Sequence, residues 1–227
     1  MSGKDSKYIP AFSYSSLTPI YDSIMRYAMR ESVFKNRLVS QVRLGKDRMV
    51  LDLGCGTATL TISVKKTFPE AEAVGVDGDA EILKIARDKI NMAVVEITLN
   101  RGAVFELPYV AESFDCVLSS LVFHHLTREN KIRSLKEAFR VLKPRGELYV
   151  ADFGKPQNTL MRLTSSITRW LEENHDNVKG LLPKMFRNVG FDQVEERAKF
   201  MTMFGTISLY RAQKPGISLL LHSENGD

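Results

Sequence analysis

Residues 49–60 read M-V-L-D-L-G-C-G-T-A-T-L, and this stretch decides the fold. An apolar run ends near Asp52, and Gly54 and Gly56 then flank Cys55 where a strand would turn into a helix. Glycines there let the backbone turn tightly and let a ligand approach the main chain. The helix that follows offers unpaired amides and the positive end of its dipole. The turn therefore predicts a cradle for a nucleotide-like ligand.

The position of a third glycine separates the nucleotide classes. Dinucleotide-binding folds use G-x-G-x-x-G, in which the last glycine allows close contact between helix and strand. Thr59 occupies that position in this chain. The substitution weakens an interpretation as an NAD-binding turn.

Asp77 closes a second apolar run, A-V-G-V-D, and lies 23 positions after Gly54. Dinucleotide folds place a ribose-binding acid at a similar offset of about 20 residues. A carboxylate can accept two hydrogen bonds from the vicinal hydroxyls of a ribose. A solvent-facing acid at a strand end is the structural alternative. Because the turn and the offset agree, we expect Asp77 to hold a ribose.

Strand-like and helix-like segments alternate from Met49 onward, which predicts an α/β fold with a parallel sheet and helices on both faces. The last two strand-like segments leave no room for a crossover helix, so we expect an antiparallel hairpin at their end of the sheet. Lys143-Pro144-Arg145-Gly146 predicts a turn before the fifth strand. Predicted strands cover 50–53, 73–76, 94–99, 114–120, 147–153, 191–200 and 203–212, and predicted helices cover 57–67, 80–92, 130–142 and 181–188.

Two segments lie outside this alternation. Residues 17–42 precede the first strand and predict one or two helices with Phe34 and Leu38 facing inward. Residues 157–173 carry an apolar stripe that includes Trp170, and they follow a strand end, where ligands bind in such sheets. This helix would cover the site. We expect a helical cap in 1–48, a ligand-binding domain in 49–213 with the covering insertion in 154–180, and a tail in 214–227.

The composition limits the classes to which the chain can belong. Of the 227 residues, 44% are hydrophobic, which is enough for a substantial core, and no apolar run approaches the roughly 20 residues of a membrane span. The polar N-terminus lacks the apolar segment of a secretion signal. Cys55 and Cys116 do not make a disulfide framework. We expect one cytoplasmic domain with reduced cysteines and no metal site.

The net charge of +5 is concentrated near the N-terminus. Residues 1–48 carry nine Lys or Arg against four Asp or Glu, whereas the rest of the chain carries 23 of each. On a continuous helix Arg26, Arg30 and Arg37 would form one basic stripe beside the expected site. Such a stripe would suit a phosphate or an anionic headgroup. A solvated basic face is the alternative.

Two further blocks carry a resemblance to a known enzyme family. Residues 102–126 read G-A-V-F-E-L-P-Y-V-A-E-S-F-D-C-V-L-S-S-L-V-F-H-H-L, and residues 140–150 read R-V-L-K-P-R-G-E-L-Y-V. With the acid and G-x-G-x-A of residues 52–58, they resemble the motifs of class I S-adenosylmethionine (SAM) dependent methyltransferases, in particular the small-molecule enzymes of the ubiquinone/menaquinone type. The resemblance covers residues 49–153 and implies a Rossmann-like fold with a mostly parallel seven-stranded sheet.

The resemblance also implies which residues hold SAM. Asp52 would anchor the glycine turn, and Asp77 would hold the ribose. Ala103 stands where the family commonly has an Asp that accepts from the adenine amino group, so adenine recognition would rely more on the main chain, on Glu106 or on a side chain from the N-terminal segment. The other implied contacts are Tyr21, Gly54, Cys55 and Gly56 to the methionine part, Gly78 beside the ribose, and Val104, Ala103 and the Ser119 carbonyl to the adenine.

The acceptor side would follow the fourth strand. Methyl transfer from a sulfonium needs an aligned nucleophile and the exclusion of water, because the charge of the cofactor already activates the methyl group. His124 is the candidate base or orienting residue, since an ordinary histidine pKa suits proton removal near neutrality. Its alternative is a structural histidine. Candidate contacts to a small-molecule or lipid-like acceptor are Phe123, Trp170, Arg26 and Arg30, each with packing or solvation as its alternative.

Two other functions stay open on the sequence. The basic N-terminus is compatible with a nucleic-acid methylase. However, Ser119-Ser120-Leu121-Val122 does not resemble the [D/N/S]-P-P-[Y/F] motif of amino-methylating nucleic-acid enzymes, so nucleic acid is the less favoured acceptor. A non-catalytic SAM-binding partner protein would also keep the glycine turn and Asp77. The sequence leaves the oligomeric state open.

Overall fold

The computed structural model describes residues 30–159, 161 and 175–216. Within these residues seven strands form one sheet in the order β3-β2-β1-β4-β5-β7-β6. Strands β1 to β5 run parallel, and β7 is antiparallel to both β5 and β6. The strands are β1 (Met49–Leu53), β2 (Glu72–Asp77), β3 (Thr98–Arg101), β4 (Phe114–Ser120), β5 (Leu142–Phe153), β6 (Asp192–Thr202) and β7 (Gly205–Gln213). The predicted mostly parallel sheet with a C-terminal hairpin is confirmed.

Helices cover both faces of this sheet. In the described part of the chain they are α1 (Glu31–Val39), α2 (Thr59–Thr67), α3 (Ala80–Ala93), α4 (Arg128–Val141), α5 (His175–Val178) and α6 (Leu182–Val189), with a 3₁₀ turn at Phe123–His125. Alternate residues of each strand point to opposite faces. Accordingly, Leu51 packs with residues of α4 and α6 on one face, whereas Val50 packs with residues of α1 and α2 on the other.

Helix α1 belongs to this core. Phe34 and Leu38 are fully buried, as the inward face of residues 17–42 predicts, and they share an apolar cluster with Leu118 of β4 and Tyr149 of β5. The rest of the predicted cap, residues 1–29, and most of the predicted covering helix, residues 160 and 162–174, lie outside the described residues.

The third strand lies later in the chain than its β-branched residues predict. Helix α3 continues to Ala93, and Val94 caps it in a left-handed conformation with φ of 52°. Residues 95–97 then lead the chain back to the sheet, so pairing with β2 begins at Thr98. The predicted strand at 94–99 is therefore wrong by four residues at its start. β-Branched residues favour strands only weakly when tertiary contacts oppose the pairing.

The predicted turn at residues 143–146 is a bulge inside β5. Phe114 pairs with Leu142 and Cys116 pairs with Glu147, so the intervening residues of β5 leave the ladder. Arg145 has φ of 63°. Its amide donates to the Lys214 carbonyl over 3.0 Å. The strand therefore begins before the turn signal and resumes after it.

The sheet order determines where a ligand can bind. From β1 the chain goes to β2 and β3 on one side and to β4 and β5 on the other. The carboxyl ends of these parallel strands meet at one edge, and the loops diverge between β1 and β4. The glycine turn follows β1 at that edge. Among the described residues, no helix has the length and apolar character needed to cross a membrane.

Candidate active site

The glycine turn is tied to the end of β2. The amides of Gly54 and Cys55 donate to the Val76 carbonyl over 2.8 and 3.0 Å. Gly54 and Gly56 have φ of 65° and 53°, in the left-handed region that favours glycine. A β-carbon on Gly56 would meet no atom within 4 Å, so the main chain there is open on one side. This geometry fits the predicted cradle.

Asp77 completes the cradle from the end of β2. Its Oδ2 accepts from the Gly56 amide and its Oδ1 accepts from the Asp79 amide, each over 3.0 Å. The half-buried carboxylate keeps further lone pairs for a ligand, since each carboxylate oxygen can accept two hydrogen bonds. An acid held at the open face of a glycine turn fits the ribose and methionine parts of SAM.

Asp52 anchors the turn indirectly. Its side chain is buried and does not line the cleft described below, and its Oδ2 accepts from Thr61 Oγ1 of α2 over 2.6 Å. Burial raises the pKa of Asp52 to about 6, although the Thr61 hydrogen bond and the charge of Lys35 oppose that rise. Asp52 thus connects β1 with the helix that follows the turn.

The glycine turn and Asp77 border a cleft of about 270 Å³ at the carboxyl ends of the strands. Seven residues predicted to hold SAM line it together: Gly54, Cys55, Gly56, Asp77, Gly78, Ala103 and Val104. Of the other predicted contacts in the described residues, Asp52 and Ser119 do not line it. Burial raises the pKa of the Cys55 thiol well above its usual value, so Cys55 forms part of the wall as a neutral thiol.

Ser120, the neighbour of Ser119, lines the cleft. Ser119 is fully buried, and its hydroxyl donates to the Leu53 carbonyl over 3.2 Å. Ser120 Oγ is buried and has no hydrogen-bond partner among the described residues. A buried hydroxyl at the cleft offers a polar contact to a ligand. The contact through the Ser119 carbonyl stays a prediction.

The structure places His125, rather than His124, on the cleft. His124 is buried, and its Nδ1 lies 2.9 Å from Asp152 Oδ1, so Nδ1 carries the proton that is donated to the carboxylate. The two histidine rings are 3.9 Å apart at their centroids. Burial, together with the charge of His124, lowers the pKa of His125 to about 4. The expectation that His124 faces the reaction is thereby corrected.

Two predicted acceptor contacts also lie elsewhere. Phe123 is buried in the core beside Leu135 rather than in the cleft. Arg30 is exposed and has φ of 54°, so helix α1 begins after it and the assumed continuous basic stripe ends there. Helical periodicity in a sequence shows neither the 3₁₀ turn at Phe123–His125 nor the left-handed backbone of Arg30. Tyr21, Arg26 and Trp170 lie outside the described residues.

Several cleft residues were missed on the sequence. Glu31 and Lys35 of α1 line the cleft beside the glycine turn and form an ion pair with each other. Their spacing of four residues is the only sequence signal, and it is typical of any solvated helix face. Ile82, Phe105 and Leu126 add apolar surface. In the described ranges, no three His, Cys, Asp or Glu side chains are grouped to hold a metal ion.

Comparison with known proteins agrees with this geometry. Residues 50–146 match a methyltransferase domain. The chain is 27% identical over 207 residues to a demethylmenaquinone methyltransferase of Listeria welshimeri. The alignment covers 80% of this chain and 86% of the relative. A second demethylmenaquinone methyltransferase, from Lactobacillus johnsonii, is 28% identical over 155 residues, which cover 66% of this chain and 63% of the relative.

Solved structures share the fold at lower identity. A Bacillus halodurans protein superposes with a TM-score of 0.67 at 21% identity, over 80% of this chain and 98% of its own. The SAM-dependent methyltransferase SibL gives 0.64 at 20% identity, over 88% of this chain and 60% of its own. The [4+2]-cyclase SpnF also gives a TM-score of 0.64 at 17% identity, over 81% of this chain and 80% of its own. The likeness in structure establishes the fold, and function must be argued from the site.

The matched domain contains the glycine turn, Asp77 and the residue 102–126 block, all of which meet at one cleft. That cleft lies at the switch point of a mostly parallel sheet that ends in the predicted C-terminal hairpin. The chain therefore contains a methyltransferase domain over residues 50–146, has the class I fold, and resembles the SAM-dependent methyltransferases of the ubiquinone/menaquinone type.

Proposed function

We propose that this enzyme transfers the methyl group of SAM to a quinol-like acceptor, that is, a small hydroxylated ring with lipid-like character. The donation from the Gly56 amide to Asp77 Oδ2 carries the cofactor half of the proposal, because it brings the open glycine turn and the ribose-binding acid to one cleft. The demethylmenaquinone methyltransferases among the relatives favour the acceptor class.

Different residues of the cleft would contact the three parts of SAM. Gly54 to Gly56 would contact the methionine part, and Lys35, which lines the same cleft and pairs with Glu31, would attract its carboxylate. Asp77 would accept hydrogen bonds from the ribose hydroxyls. Val104 and Ile82 line the cleft with apolar surface, against which a flat adenine would pack. When bound, SAM supplies a methyl group activated by the positively charged sulfur.

The acceptor half of the cleft is mainly apolar. Leu121, Val122 and Leu126 line it and would contact a ring or an isoprenoid chain. Because the pKa of His125 is lowered to about 4, its imidazole is neutral near pH 7 and is a weak base. It suits a hydrogen bond to an acceptor hydroxyl better than the removal of a strongly held proton. An electron-rich hydroxylated ring fits this site, since its own oxygen lone pairs make a ring carbon or oxygen nucleophilic.

A direct assay tests the proposal. The full chain is mixed with SAM and a demethylmenaquinol that carries a short isoprenoid chain, kept reduced under anaerobic conditions, and S-adenosylhomocysteine and methylated quinol are measured by mass spectrometry. We expect stoichiometric formation of both products, and slower formation of both in Asp77→Ala when SAM is near the wild-type Kd. The matched control, Asp88→Asn, changes an exposed acid on the outer side of α3 and should keep the activity.

Three other results would contradict the proposal in different ways. Methylation of RNA in place of the quinol would favour the nucleic-acid alternative. Methylation of a small amine alone would keep the enzyme class and exclude the acceptor class. Tight SAM binding without transfer to any member of an acceptor panel would favour a non-catalytic binding protein. The cytoplasmic location stays a prediction.

A further inference from the structure

The carboxylate of Asp152, at the carboxyl end of β5, is fully buried and accepts five hydrogen bonds. Oδ2 accepts from the amides of Val122 and Phe123 over 3.1 and 2.7 Å. Oδ1 accepts from His124 Nδ1, the Phe153 amide and Asn177 Nδ2 over 2.9, 2.7 and 3.0 Å. Burial alone would raise the pKa of Asp152, but the charge and hydrogen bond of His124 act together with the Phe153 amide to hold that pKa below its usual value.

These bonds hold the segment that follows β4. Leu121 has φ of 59°, a strained conformation for a branched residue. Its amide donates to the Ala151 carbonyl over 2.8 Å, and the next two amides donate to Asp152. Strained backbone persists only where its surroundings determine it strongly. The end of β5 is therefore the support that fixes residues 121–123.

The held segment is also the acceptor wall of the cleft. Leu121, Val122 and His125 all line the cleft, whereas Asp152 and His124 lie behind it. The His124 ring contacts the His125 ring, with the two ring planes tilted by 41°, and makes an edge contact with Phe153 at a centroid distance of 4.9 Å. The position of the His125 imidazole therefore depends on a ring that Asp152 holds.

Asn177 extends the same network to the part of the chain beyond β5. It is fully buried in α5, and its side-chain amide reaches Asp152 Oδ1. Helix α5 follows directly after residues 162–174, in which the covering helix is predicted. One carboxylate thus connects the loop after β4 with helix α5.

We propose that Asp152 is a positioning residue for the methyl acceptor, which holds Val122 and His125 in a preformed wall and leaves SAM binding to the opposite side of the cleft. This inference rests on the proposed function for its kinetic consequence. It assigns His124 the role of donor to Asp152 rather than of base. Preformed contacts reduce the ordering needed to align an acceptor, so their loss should lower turnover more than cofactor affinity.

Asp152→Asn tests the kinetic part. The variant keeps the size of the side chain but places an amide nitrogen among donors that need an acceptor. We expect kcat/KM for the quinol to fall at least tenfold, mainly in kcat, while the Kd for SAM changes less than twofold. Asp176→Asn is the matched control in α5, because Asp176 pairs with Arg128 outside this network. A parallel loss of SAM affinity and turnover would overturn the proposal, because it would indicate general damage to the fold.

His124 provides a rescue test. An asparagine can place an amide N–H close to the position of Nδ1, whereas alanine cannot. We expect the kcat of His124→Asn to be higher than that of His124→Ala, by at least a third of the kcat that the alanine variant loses relative to the wild type. Equal loss in both variants would contradict a donor role and would restore His124 as a reacting group.

Amide hydrogen exchange separates this inference from the proposed function. In Asp152→Asn, and to a smaller extent in Asn177→Ala, we expect faster exchange in residues 121–126 and unchanged exchange in residues 54–58. This result is independent of any acceptor. If the wild-type protein methylates no quinol but the exchange result holds, the acceptor proposal fails and the support by Asp152 stands. Unchanged exchange in residues 121–126 would overturn the support itself.

Discussion

A β-carbon on Gly54 would lie 2.5 Å from Cγ2 of Val122. Gly54 belongs to the turn that we assign to SAM, and Val122 belongs to the wall that we assign to the acceptor. The two halves of the cleft are therefore in direct contact, with no room for one additional carbon between them. A side chain at residue 54 would disturb both halves together.

We expect Gly54→Ala to weaken SAM binding at least tenfold and to lower the free energy of unfolding by about 2 kcal/mol. A left-handed backbone costs an alanine roughly 1 to 2 kcal/mol, and overpacking adds to that cost. Isothermal titration calorimetry and chemical denaturation measure the two effects. Gly45→Ala is the matched control, since a β-carbon there would make only an ordinary contact of 3.7 Å with Arg48. SAM affinity equal to that of the wild type would contradict the assignment of the turn.

Asp77→Ala should lower the affinity for SAM by roughly 1 to 3 kcal/mol, the usual cost of losing a hydrogen bond to a charged group. Asp79→Ala provides the comparison. Asp79 caps helix α3 by accepting from the amides of Glu81 and Ile82, so its loss should lower stability by about 1 kcal/mol with little change in SAM affinity. If the two variants bind SAM equally well, the ribose does not contact Asp77.

Lys35→Met should weaken the binding of SAM severalfold but leave the binding of decarboxylated SAM almost unchanged. Lys35 lines the same cleft as the glycine turn, and its ammonium pairs with Glu31, so it could turn to a methionine carboxylate bound there. Decarboxylated SAM lacks only that carboxylate, so the pair of ligands isolates the interaction. Arg37→Met, on the exposed side of α1, is the control. Equal losses for both ligands would place the carboxylate elsewhere.

The pH dependence of stability should contain two opposing contributions. The pKa of Asp52 is raised to about 6, so between pH 4 and 6 the folded state binds more protons than the unfolded state and this contribution falls as the pH rises. The pKa of His125 is lowered to about 4, so the folded state binds fewer protons between pH 4 and 6.5 and this contribution increases.

Asp52→Asn should expose the contribution of His125. This variant lacks the contribution of Asp52, which falls as the pH rises. Its free energy of unfolding should therefore rise between pH 4 and 6 by about 2 to 3 kcal/mol more than that of the wild type. Urea denaturation at several pH values measures this difference. Asp88→Asn, at an exposed position, should follow the wild-type curve. The same slope in wild type and Asp52→Asn would mean that Asp52 is ionised in the folded protein across this range.

The parts of the site that the sequence predicted are those that depend on local pattern. The glycine turn needs a left-handed backbone at two positions, and only glycine adopts it without strain, so Gly54 and Gly56 were recognisable from their order alone. Asp77 ends an apolar strand at a characteristic offset. The alternation of apolar periods likewise predicted the sheet and its C-terminal hairpin.

The parts that the sequence missed depend on which side chains meet across the sheet. Phe123 to His125 form a 3₁₀ turn, so the orientation of two adjacent histidines follows from hydrogen bonds to Asp152, which is separated from His124 by 28 residues. Lys35 reaches the cleft because α1 packs against the sheet. Neither contact corresponds to a motif or to a periodic pattern, so a single sequence does not indicate either of them.

Strand β7 pairs with β5 on one side and with β6 on the other, although it follows β5 by some fifty residues in the chain. During synthesis the edge of β5 stays unpaired until β6 and β7 have both left the ribosome. Asp152 lies on β5, and its backbone pairs with Ser208 of β7. The cofactor half of the cleft is encoded in residues that emerge early, whereas the support of the acceptor half is completed only when this late hairpin docks. Newly made chains should therefore acquire SAM binding before they acquire an ordered acceptor wall.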